Sequence, residues 1–343
     1  MFRLFKALIF LGIFSIGTAG AALYWYANRQ IPLSSPSVDL IIAPGSSMRG
    51  AARQSALAMP VHADVLVVLA RLLSRDTRIK AGSYEIERGT TPLMLLDKLT
   101  RGDVTQQELT IPEGWTFRQF RQALDAHPAV GHATTGLTDA ALLAEIVRIE
   151  GNGNSRGDSG VQSPEGLFFP DTYLFAKGTR DYEVLRRAYR AMHRHLGAEW
   201  DRRNPGLPYR GPYEALIMAS IVEKETGQAR ERPLIAGVFV NRLRRGMLLQ
   251  TDPTVIYGLG DKFDGNLRKR DLQDDHPYNT YTRAGLPPTP IALPGLAAIQ
   301  AALSPARTDA VYFVARGDGT HEFTATLAAH NRAVNKFQRK KGG

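Results

Sequence analysis

The sequence contains no cysteine in its 343 residues. Disulfide bonds, thiolate metal sites, thiol nucleophiles and lipid-modified cysteines are therefore excluded. The eight histidines are scattered, no H-E-x-x-H motif is present, and His193 and His195 would point to different faces of a helix. We therefore predict that the protein holds neither a metal ion nor a cofactor.

Acidic residues are the scarcer charges, since 33 aspartates and glutamates stand against 43 lysines and arginines. The resulting net charge of +10 predicts a surface that attracts polyanions. Nucleic acid, anionic lipid and the anionic bacterial wall all satisfy this condition, so charge alone does not identify a partner. The chain length leaves room for roughly two domains of about 150 residues each.

The longest stretch without charge lies at the N-terminus. No charged residue occurs between Lys6 and Asn28, and the 20 residues of Ala7–Tyr26 would span about 30 Å as a helix. The alternative is a cleaved signal peptide, because residues 19–21 form an A-x-A site. Since the apolar stretch continues beyond that site, we favour an uncleaved transmembrane helix at residues 7–27.

The residues that flank this segment predict its orientation. Arg3 and Lys6 precede it within a short tail at residues 1–6, whereas only Arg29 follows closely, which favours a cytoplasmic N-terminus. Three consecutive aromatic residues suit the far membrane interface (Tyr24, Trp25 and Tyr26). The rest of the chain would then lie outside the cytoplasm, anchored in the inner membrane, and we expect no nucleic acid as a partner.

Residues 38–105 follow a linker at residues 28–37 and predict a small α+β subdomain. The expected order is strand, helix (Ser47–Leu57), helix (Ala63–Ser74) and strand (Gly82–Ile86), with serine or threonine caps after glycine turns. This βααβ order resembles a LysM module, which binds glycans that contain N-acetylglucosamine. A small packing unit without a ligand is the alternative.

A polar, glycine-rich stretch interrupts the chain at Gly151–Gly160. Its composition does not suit a core and predicts a domain boundary or a long loop. The aromatic-rich segment Ser163–Phe175 follows it. We consider two interpretations of that segment, a packed hairpin or loop and a platform for sugar rings.

Two glutamates, Glu223 and Glu225, end a nearly all-apolar run. The helix that carries them is predicted to begin near Pro212 and to end by Gly227. Because this helix is apolar on most sides, it should be buried, and a buried carboxylate is costly unless it has a function.

The helical period separates the two glutamates. At 100° per residue, Glu223 projects from an apolar stripe with small neighbours, whereas Glu225 shares with Glu214 a side that tolerates charge. Burial and the negative end of the helix dipole should favour the protonated form of Glu223, as a general acid requires. A structural salt bridge from Glu223 to Lys224 or Arg230 is the alternative.

Two later segments, 246–260 and 276–295, are rich in hydroxyl and amide side chains. Such side chains offer both donors and acceptors to the hydroxyl and acetamido groups of sugars. Turn chemistry without a ligand would produce the same composition. Our candidates for substrate binding are Gln250, Thr251, Asp252, Tyr257, Asn279, Thr280 and Tyr281.

Several long motifs occur in order along the chain. They read IPEGWTFRQ, EGLFFPDTY, ASIVEKET, LLQTDPTVIYGLG, YNTYTRAGLPPTPIALPG and YFVARGDGTHEFTATLAAHN. Together they closely resemble the YceG-like family of endolytic murein transglycosylases. The resemblance implies a single-pass inner-membrane enzyme with a periplasmic, mixed α+β catalytic domain at residues 106–340, and Glu223 as its catalytic residue. It implies peptidoglycan glycan strands as substrate and wall-synthesis enzymes as candidate partners.

The resemblance also implies a reaction. Enzymes of this class cleave the β-1,4 bond between N-acetylmuramic acid and N-acetylglucosamine without water, and a single residue acts first as acid and then as base. A peptidoglycan hydrolase of lysozyme type is the alternative, which would need a second carboxylate such as Asp252 or Asp171. A non-catalytic, membrane-tethered wall-binding protein is a further alternative.

The topology can be tested directly. If residues 7–27 form an uncleaved anchor, a reporter enzyme fused after Gly343 should be active only outside the cytoplasm. The protein should also resist carbonate extraction, because its helix would remain inserted in the bilayer. Release of a soluble species that begins near Ala22 would identify a cleaved signal peptide instead.

Overall fold

The computed structural model describes residues 2–43, 45–150 and 163–338. The chain divides into two compact units. Unit 1 comprises Met1–Glu108 with two short segments, Ala129–Gly131 and Leu174–Thr179. Unit 2 comprises the remaining segments, which are Leu109–Pro128, His132–Tyr173 and Arg180–Gly343. The glycine-rich stretch Gly151–Gly160, for which we predicted a boundary or a loop, lies outside the described residues.

Unit 1 begins with helix α1 (Phe2–Asn28), which is 27 residues long. Among the described residues it is the one helix that is long and apolar enough to cross a membrane, with a mean hydropathy of 1.3 in Phe10–Asn28. Only 6% of this window is buried within the protein. A membrane anchor and an N-terminal signal sequence both satisfy these criteria.

The elements that follow α1 in unit 1 begin with the βααβ order that the sequence predicts. They are β1 (Ser37–Ile42), α2 (Met48–Ala58), α3 (Ala63–Leu72), β2 (Gly82–Glu87) and α4 (Pro92–Arg101). Strands β1 and β2 pair antiparallel with Leu40 opposite Tyr84, and both of these side chains are buried. The Ser47 side chain caps α2 by accepting the N–H of Gly50. The βααβ order is therefore present, and glycan binding by this unit stays a prediction.

Four short strands follow with two helices among them. They are β3 (Gln106–Thr110), α5 (Phe117–Ala126), β4 (Val130–Gly131), α6 (Asp139–Glu150), β5 (Thr172–Ala176) and β6 (Thr179–Arg180). Strand β3 pairs with β5, and β4 pairs with β6. Thr116 caps α5 in a reciprocal capping box with Gln119, which determines where the helix begins.

Helices make up most of the rest of unit 2. They are α7 (Asp181–Asp201), α8 (Pro212–Glu225), α9 (Arg232–Arg244), α10 (Asp252–Leu259), α11 (Lys269–Gln273), α12 (Leu296–Leu303) and α13 (Leu327–Phe337). A hairpin of β7 (Tyr312–Ala315) and β8 (His321–Thr324) precedes α13. The mixed α+β fold class that the sequence predicts is confirmed.

Helix α8 is the central element of unit 2. Eight consecutive residues, Ala215–Val222, are buried, and α8 packs against α7, α9, α10 and α12. Helix α12 presents small buried residues, such as Ala298 and Ala302, which allow the two helices to approach closely. Pro212 begins α8 at a position where a missing N–H is harmless.

Two helical glycines allow a matched test of packing in unit 2. A Cβ on Gly237 of α9 would lie 2.6 Å from the carbonyl oxygen of Ala306, whereas a Cβ on Gly197 of α7 would meet nothing within 4 Å. We expect Gly237→Ala to lower the free energy of unfolding by about 1–3 kcal/mol through overpacking. Gly197→Ala should raise it by about 0.5–1 kcal/mol, since alanine is the better helix former.

The measurement is urea denaturation of the full chain in detergent. Both variants add one methyl group to a helix, so they differ only in the surroundings of that group. Equal effects of the two substitutions would contradict the close approach of α9 to the carbonyl of Ala306.

Candidate active site

The carboxylate of Glu223 lies in the last turn of α8. Its side chain is only 6% exposed. One oxygen, Oε2, accepts the backbone N–H of Gly295 at 2.9 Å, and the other, Oε1, lies 3.4 Å from Nη2 of Arg232. The carboxylate of Glu223 therefore lies between the N-terminal ends of α9 and α12.

Both contacts bring positive charge to the Glu223 carboxyl. Gly295 is the N-cap of α12, and the N-terminus of a helix carries partial positive charge. Arg232 adds a full positive charge at the same carboxylate. From sequence only burial and the dipole of α8 itself could be considered, and the positive groups come from other elements. That the surroundings favour the protonated acid stays a prediction.

Arg232 is the ion-pair partner of Glu223, rather than Lys224 or Arg230, which sequence spacing suggested. Its side chain is largely buried, and its Nε has no hydrogen-bond partner among the residues that the structure describes. Lys224 instead donates to the carbonyl oxygen of Gly114 at 3.2 Å. Arg232 reaches the site because it begins α9, which packs beside α8.

A tight turn at Pro112–Trp115 brings the IPEGWT motif to the same point. Gly114 has a φ of +78°, a conformation that favours glycine in the third position of such a turn. The N–H of Gly114 donates to the carbonyl of Leu293 at 2.9 Å, and the N–H of Leu293 donates to the carbonyl of Trp115 at 2.7 Å. These two hydrogen bonds fix the turn against the loop that leads into α12.

This turn presents Glu113, a second carboxyl, beside Glu223. The Glu113 side chain occupies the space next to Gly295, since a Cβ built on Gly295 would lie 1.8 Å from Oε1 of Glu113. Partial burial raises the pKa of Glu113, the charge of Glu223 raises it further, and Arg232 lowers it. We did not name Glu113 from sequence as a candidate site residue, although it lies within a motif that carries the family resemblance.

Glu225 is half-buried, as is Glu214 on the same side of α8. Its carboxylate accepts a hydrogen bond from the hydroxyl of Thr251. Burial raises the pKa of Glu225, the hydrogen bond from Thr251 lowers it, and the nearby charge of Asp252 raises it. The helical period predicted a side of α8 that tolerates charge, and both Glu214 and Glu225 keep part of their surface exposed there.

The two polar segments are joined through Thr251 and Thr280. The N–H of Thr251 donates to the hydroxyl of Thr280 at 3.1 Å, and the N–H of Gln250 donates to the carbonyl of Thr280 at 3.0 Å. Thr251 and Thr280 are both buried, so their hydroxyls bond inside the fold. Thr251 also donates to Glu225, so these hydrogen bonds connect the two polar segments to the end of α8.

The other candidate substrate residues differ in accessibility. Asn279 is buried, and its amide nitrogen donates to the carbonyl of Asp274 at 2.6 Å, which orders the loop. Gln250 and Asp252 are exposed, and the hydroxyl of Tyr281 donates to Oδ1 of Asp252 at 2.6 Å. Exposed donors and acceptors are the ones available to a ligand.

Tyr257, the seventh candidate, donates its hydroxyl to the buried carboxyl of Glu165 at 3.1 Å. Glu165 also accepts the N–H of Phe117, the first residue of α5, at 2.9 Å. Burial raises the pKa of Glu165 to about 7, although the hydrogen bonds from Phe117 and Tyr257 lower it. This carboxyl therefore links α10 to the helix that follows the Pro112–Trp115 turn.

One group of potential metal ligands occurs among the described residues, and it consists of Asp125, His132 and Asp181. The carboxylate of Asp181 already accepts the N–H groups of Ala133, Thr134 and Tyr182 and the hydroxyl of Thr134. These four hydrogen bonds use the lone pairs that a cation would need. The group is accordingly a structural hydrogen-bond centre.

Comparisons with known proteins agree with the motifs. Residues 40–336 match the model of the YceG-like family. A Bacillus subtilis protein named endolytic murein transglycosylase is 33% identical over 266 residues, which cover 75% of this chain and 73% of that protein. Streptococcus pneumoniae proteins of the same name, from strains D39 and R6, are 31% identical over 264 residues. The match covers 70% of this chain but only 47% of the pneumococcal proteins, so the chain aligns with about half of their length.

A solved structure is similar as well. The 2.6 Å crystal structure of a protein described as YceG-like, from Listeria monocytogenes, aligns with 87% of this chain and 99% of that chain. The TM-score is 0.55 and the sequence identity is 29%.

The buried Glu165 predicts a pH dependence of stability. Because its pKa is raised on folding to about 7, the folded state binds more protons than the unfolded state between about pH 4.5 and 7. Its contribution is fully present below the unfolded pKa and is lost as the pH rises through 7. Relative to Glu165→Gln, the wild type should lose about 3 kcal/mol of stability between pH 4.5 and 8.

The measurement is the free energy of unfolding of the full chain in detergent, taken across this pH range. The exposed Glu183 on α7 provides the control, since Glu183→Gln should leave the pH dependence unchanged. Parallel curves for the wild type and Glu165→Gln would contradict the burial of an uncharged Glu165.

Proposed function

This chain belongs to the YceG-like family, and from that membership we propose that it is an endolytic murein transglycosylase in which Glu223 is the catalytic acid and base. The observation that carries the proposal is the place of Glu223. It lies in the ASIVEKET motif, at the end of a buried helix, and faces a positively charged side chain and a helix N-terminus. These contacts keep the Glu223 carboxyl in one orientation while the reaction proceeds.

The proposed reaction needs one proton, which Glu223 first gives and then recovers. Protonated Glu223 donates to the oxygen of the β-1,4 bond that leaves N-acetylmuramic acid. The C6 hydroxyl of the same muramic acid attacks its anomeric carbon, and the Glu223 carboxylate takes the hydroxyl proton. The products are a 1,6-anhydro-muramic end and a new N-acetylglucosamine end, and no water is consumed.

One property of the sugar and one feature of the site support internal attack. The C6 hydroxyl is already held near the anomeric carbon, so it has the advantage of proximity over free water. The Glu223 side chain is almost fully enclosed, which limits access of water to the carboxylate. Arg232 and the N–H of Gly295 then stabilise the carboxylate that forms when the proton leaves.

We propose that the exposed polar residues near the end of α8 bind the sugars. Gln250 and Asp252 are exposed, and the half-buried Tyr281 donates its hydroxyl to Asp252. Gln250 and Asp252 flank Thr251, which donates to Glu225. Tyr257 would supply an aromatic face. Thr251, Asn279 and Thr280 are buried, and we assign them to positioning the exposed residues.

We further propose that the chain works at the outer face of the inner membrane. Helix α1 would anchor it with a cytoplasmic N-terminus, so that unit 2 reaches glycan strands in the periplasm. The LysM-like residues 38–105 would contact the same strands. A membrane-tethered enzyme that cuts within new strands suits a role in wall synthesis or strand-length control, together with wall-synthesis enzymes.

A second candidate function is hydrolysis of the lysozyme type. The observation that favours it is Glu113, because a hydrolase would normally use two carboxyls. The structure brings Glu113 rather than Asp252 or Asp171 to the side of Glu223. Water would then enter the bond, and the new muramic ends would carry a free reducing group.

One digestion separates these functions. Glycan strands treated with the full chain in heavy-oxygen water should gain unlabelled 1,6-anhydro ends, because no solvent oxygen enters the bond. Glu223→Gln should lower the rate by about 10³-fold, since it keeps the shape and removes the proton chemistry. Glu225→Gln should cost much less, because a glutamine oxygen can still accept the hydrogen bond from Thr251.

Mass spectrometry of the ends and of fragment length provides the readout. Mid-sized fragments should appear early, as expected for cuts within strands. Labelled reducing ends would support the hydrolase, an inactive Glu225→Gln with an active Glu223→Gln would reverse the assignment, and no cleavage by the wild type would support a wall-binding protein.

A further inference from the structure

The C-terminal end of α1 belongs to the folded core of unit 1. Ala27 is buried in this core, and Leu23 packs against it. The N–H of His62 donates to the hydroxyl of Tyr26 at 2.8 Å, and the two rings lie 5.9 Å apart. The residues that precede α3 therefore lie beside the C-terminal end of α1, within the same packed unit.

These contacts bring part of unit 1 to the depth of the membrane boundary. A span of Ala7–Tyr26 would cross about 30 Å of hydrocarbon, so Tyr26 would lie at its outer edge. Leu23 lies three residues earlier on the helix, which is about 4.5 Å deeper. An element that packs against this end of α1 must therefore lie at the bilayer interface.

The segment in contact with Tyr26 is the α2–α3 junction, which we define as residues 57–62. Leu57 is 90% exposed and Pro60 is also exposed, whereas Met59 and Val61 are buried in the core of unit 1. The buried residues fix the backbone of the junction, and the exposed ones present an apolar surface. A single exposed leucine is ordinary on a soluble protein, but this one adjoins the end of an apolar helix that is itself mostly exposed.

We propose that the α2–α3 junction inserts Leu57 and Pro60 into the periplasmic leaflet of the membrane, next to the point where α1 leaves it. The bilayer is the occupant that fits this surface, because the junction is continuous with the helix that we propose as the anchor. The inference rests on that part of the proposed function, and it is independent of the chemistry at Glu223. Unit 1 is then held at the membrane by two contacts instead of one.

The charges around the junction suit a lipid surface. No lysine, arginine, aspartate or glutamate occurs between Arg53 and Asp64. Arg53 is exposed one helical turn before Leu57, so its guanidinium can contact lipid phosphates while Leu57 contacts acyl chains. The guanidinium of Arg29 lies 4.9 Å from the ring centre of Trp25, at the same end of α1. Asp64 is exposed at the start of α3 and stays in the headgroup layer.

The test measures lipid contact at one labelled position. Because the chain contains no cysteine, Leu57→Cys can carry a single fluorophore. The full chain is reconstituted into vesicles of phosphatidylethanolamine and phosphatidylglycerol, with or without a nitroxide on the lipid acyl chain close to the headgroup. We expect the nitroxide to remove at least about half of the emission, since inserted surface elements lie about 5–10 Å into the boundary between headgroups and acyl chains.

Two further positions serve as controls. Ile41 is apolar, 52% exposed and in the same unit, but it lies opposite Ser83, about 13 Å along β1 from Ser37. The label on Ile41→Cys should keep its emission. The label on Phe14→Cys, in the middle of α1, should be quenched most strongly by a nitroxide near the end of the acyl chain.

Each contrary result has a separate meaning. Quenching at Phe14 without quenching at Leu57 would overturn the inference and leave the anchor intact. Equal quenching at Leu57 and Ile41 would also overturn it, because the junction would then have no special contact with lipid. A Leu57 label that is shielded from aqueous iodide but not quenched by lipid would identify a second copy of the chain as the occupant instead. No quenching at Phe14 would refute the anchor itself, and the inference with it.

Discussion

The hydrogen bond from the N–H of Gly295 to Glu223 joins the two helices on which the site depends. It connects the C-terminal turn of α8 to the N-cap of α12, and these helices pack tightly through small residues. A carboxylate that ends a buried helix needs such a partner, because an unpaired buried charge is costly. The partner is a backbone group, so its position follows from the packing of the helices rather than from a side-chain rotamer.

Charged side chains of both signs from three elements lie around the Glu223 carboxyl. Arg232 comes from α9, Glu113 from the turn before α5, and Glu223 from α8. Arg232 holds the Glu223 carboxyl in place, and Glu113 adds a second carboxyl beside Gly295. The site is therefore assembled from segments that lie far apart in sequence.

Buried polar contacts position the surroundings of this site. Thr251 links the end of α8 to Thr280, and Glu165 links the first residue of α5 to Tyr257 of α10. Each contact satisfies a buried donor or acceptor, and each joins segments that lie far apart in sequence. Buried hydrogen bonds therefore fix the backbone that carries the exposed residues Gln250 and Asp252.

Local patterns by themselves determined the apolar N-terminal helix, the βααβ order of unit 1, the start of α8 at Pro212 and its end before Gly227. Those features depend on apolar periodicity, caps and turn residues, which lie within a few positions of one another. The family motifs likewise led to Glu223. Only the tertiary structure decided its partners, because Gly295 follows 72 residues later and Glu113 lies on a separate turn. The contact of Glu225 with Thr251 was hidden for the same reason, because a helical period separates the faces of one helix but does not show which element lies against each face.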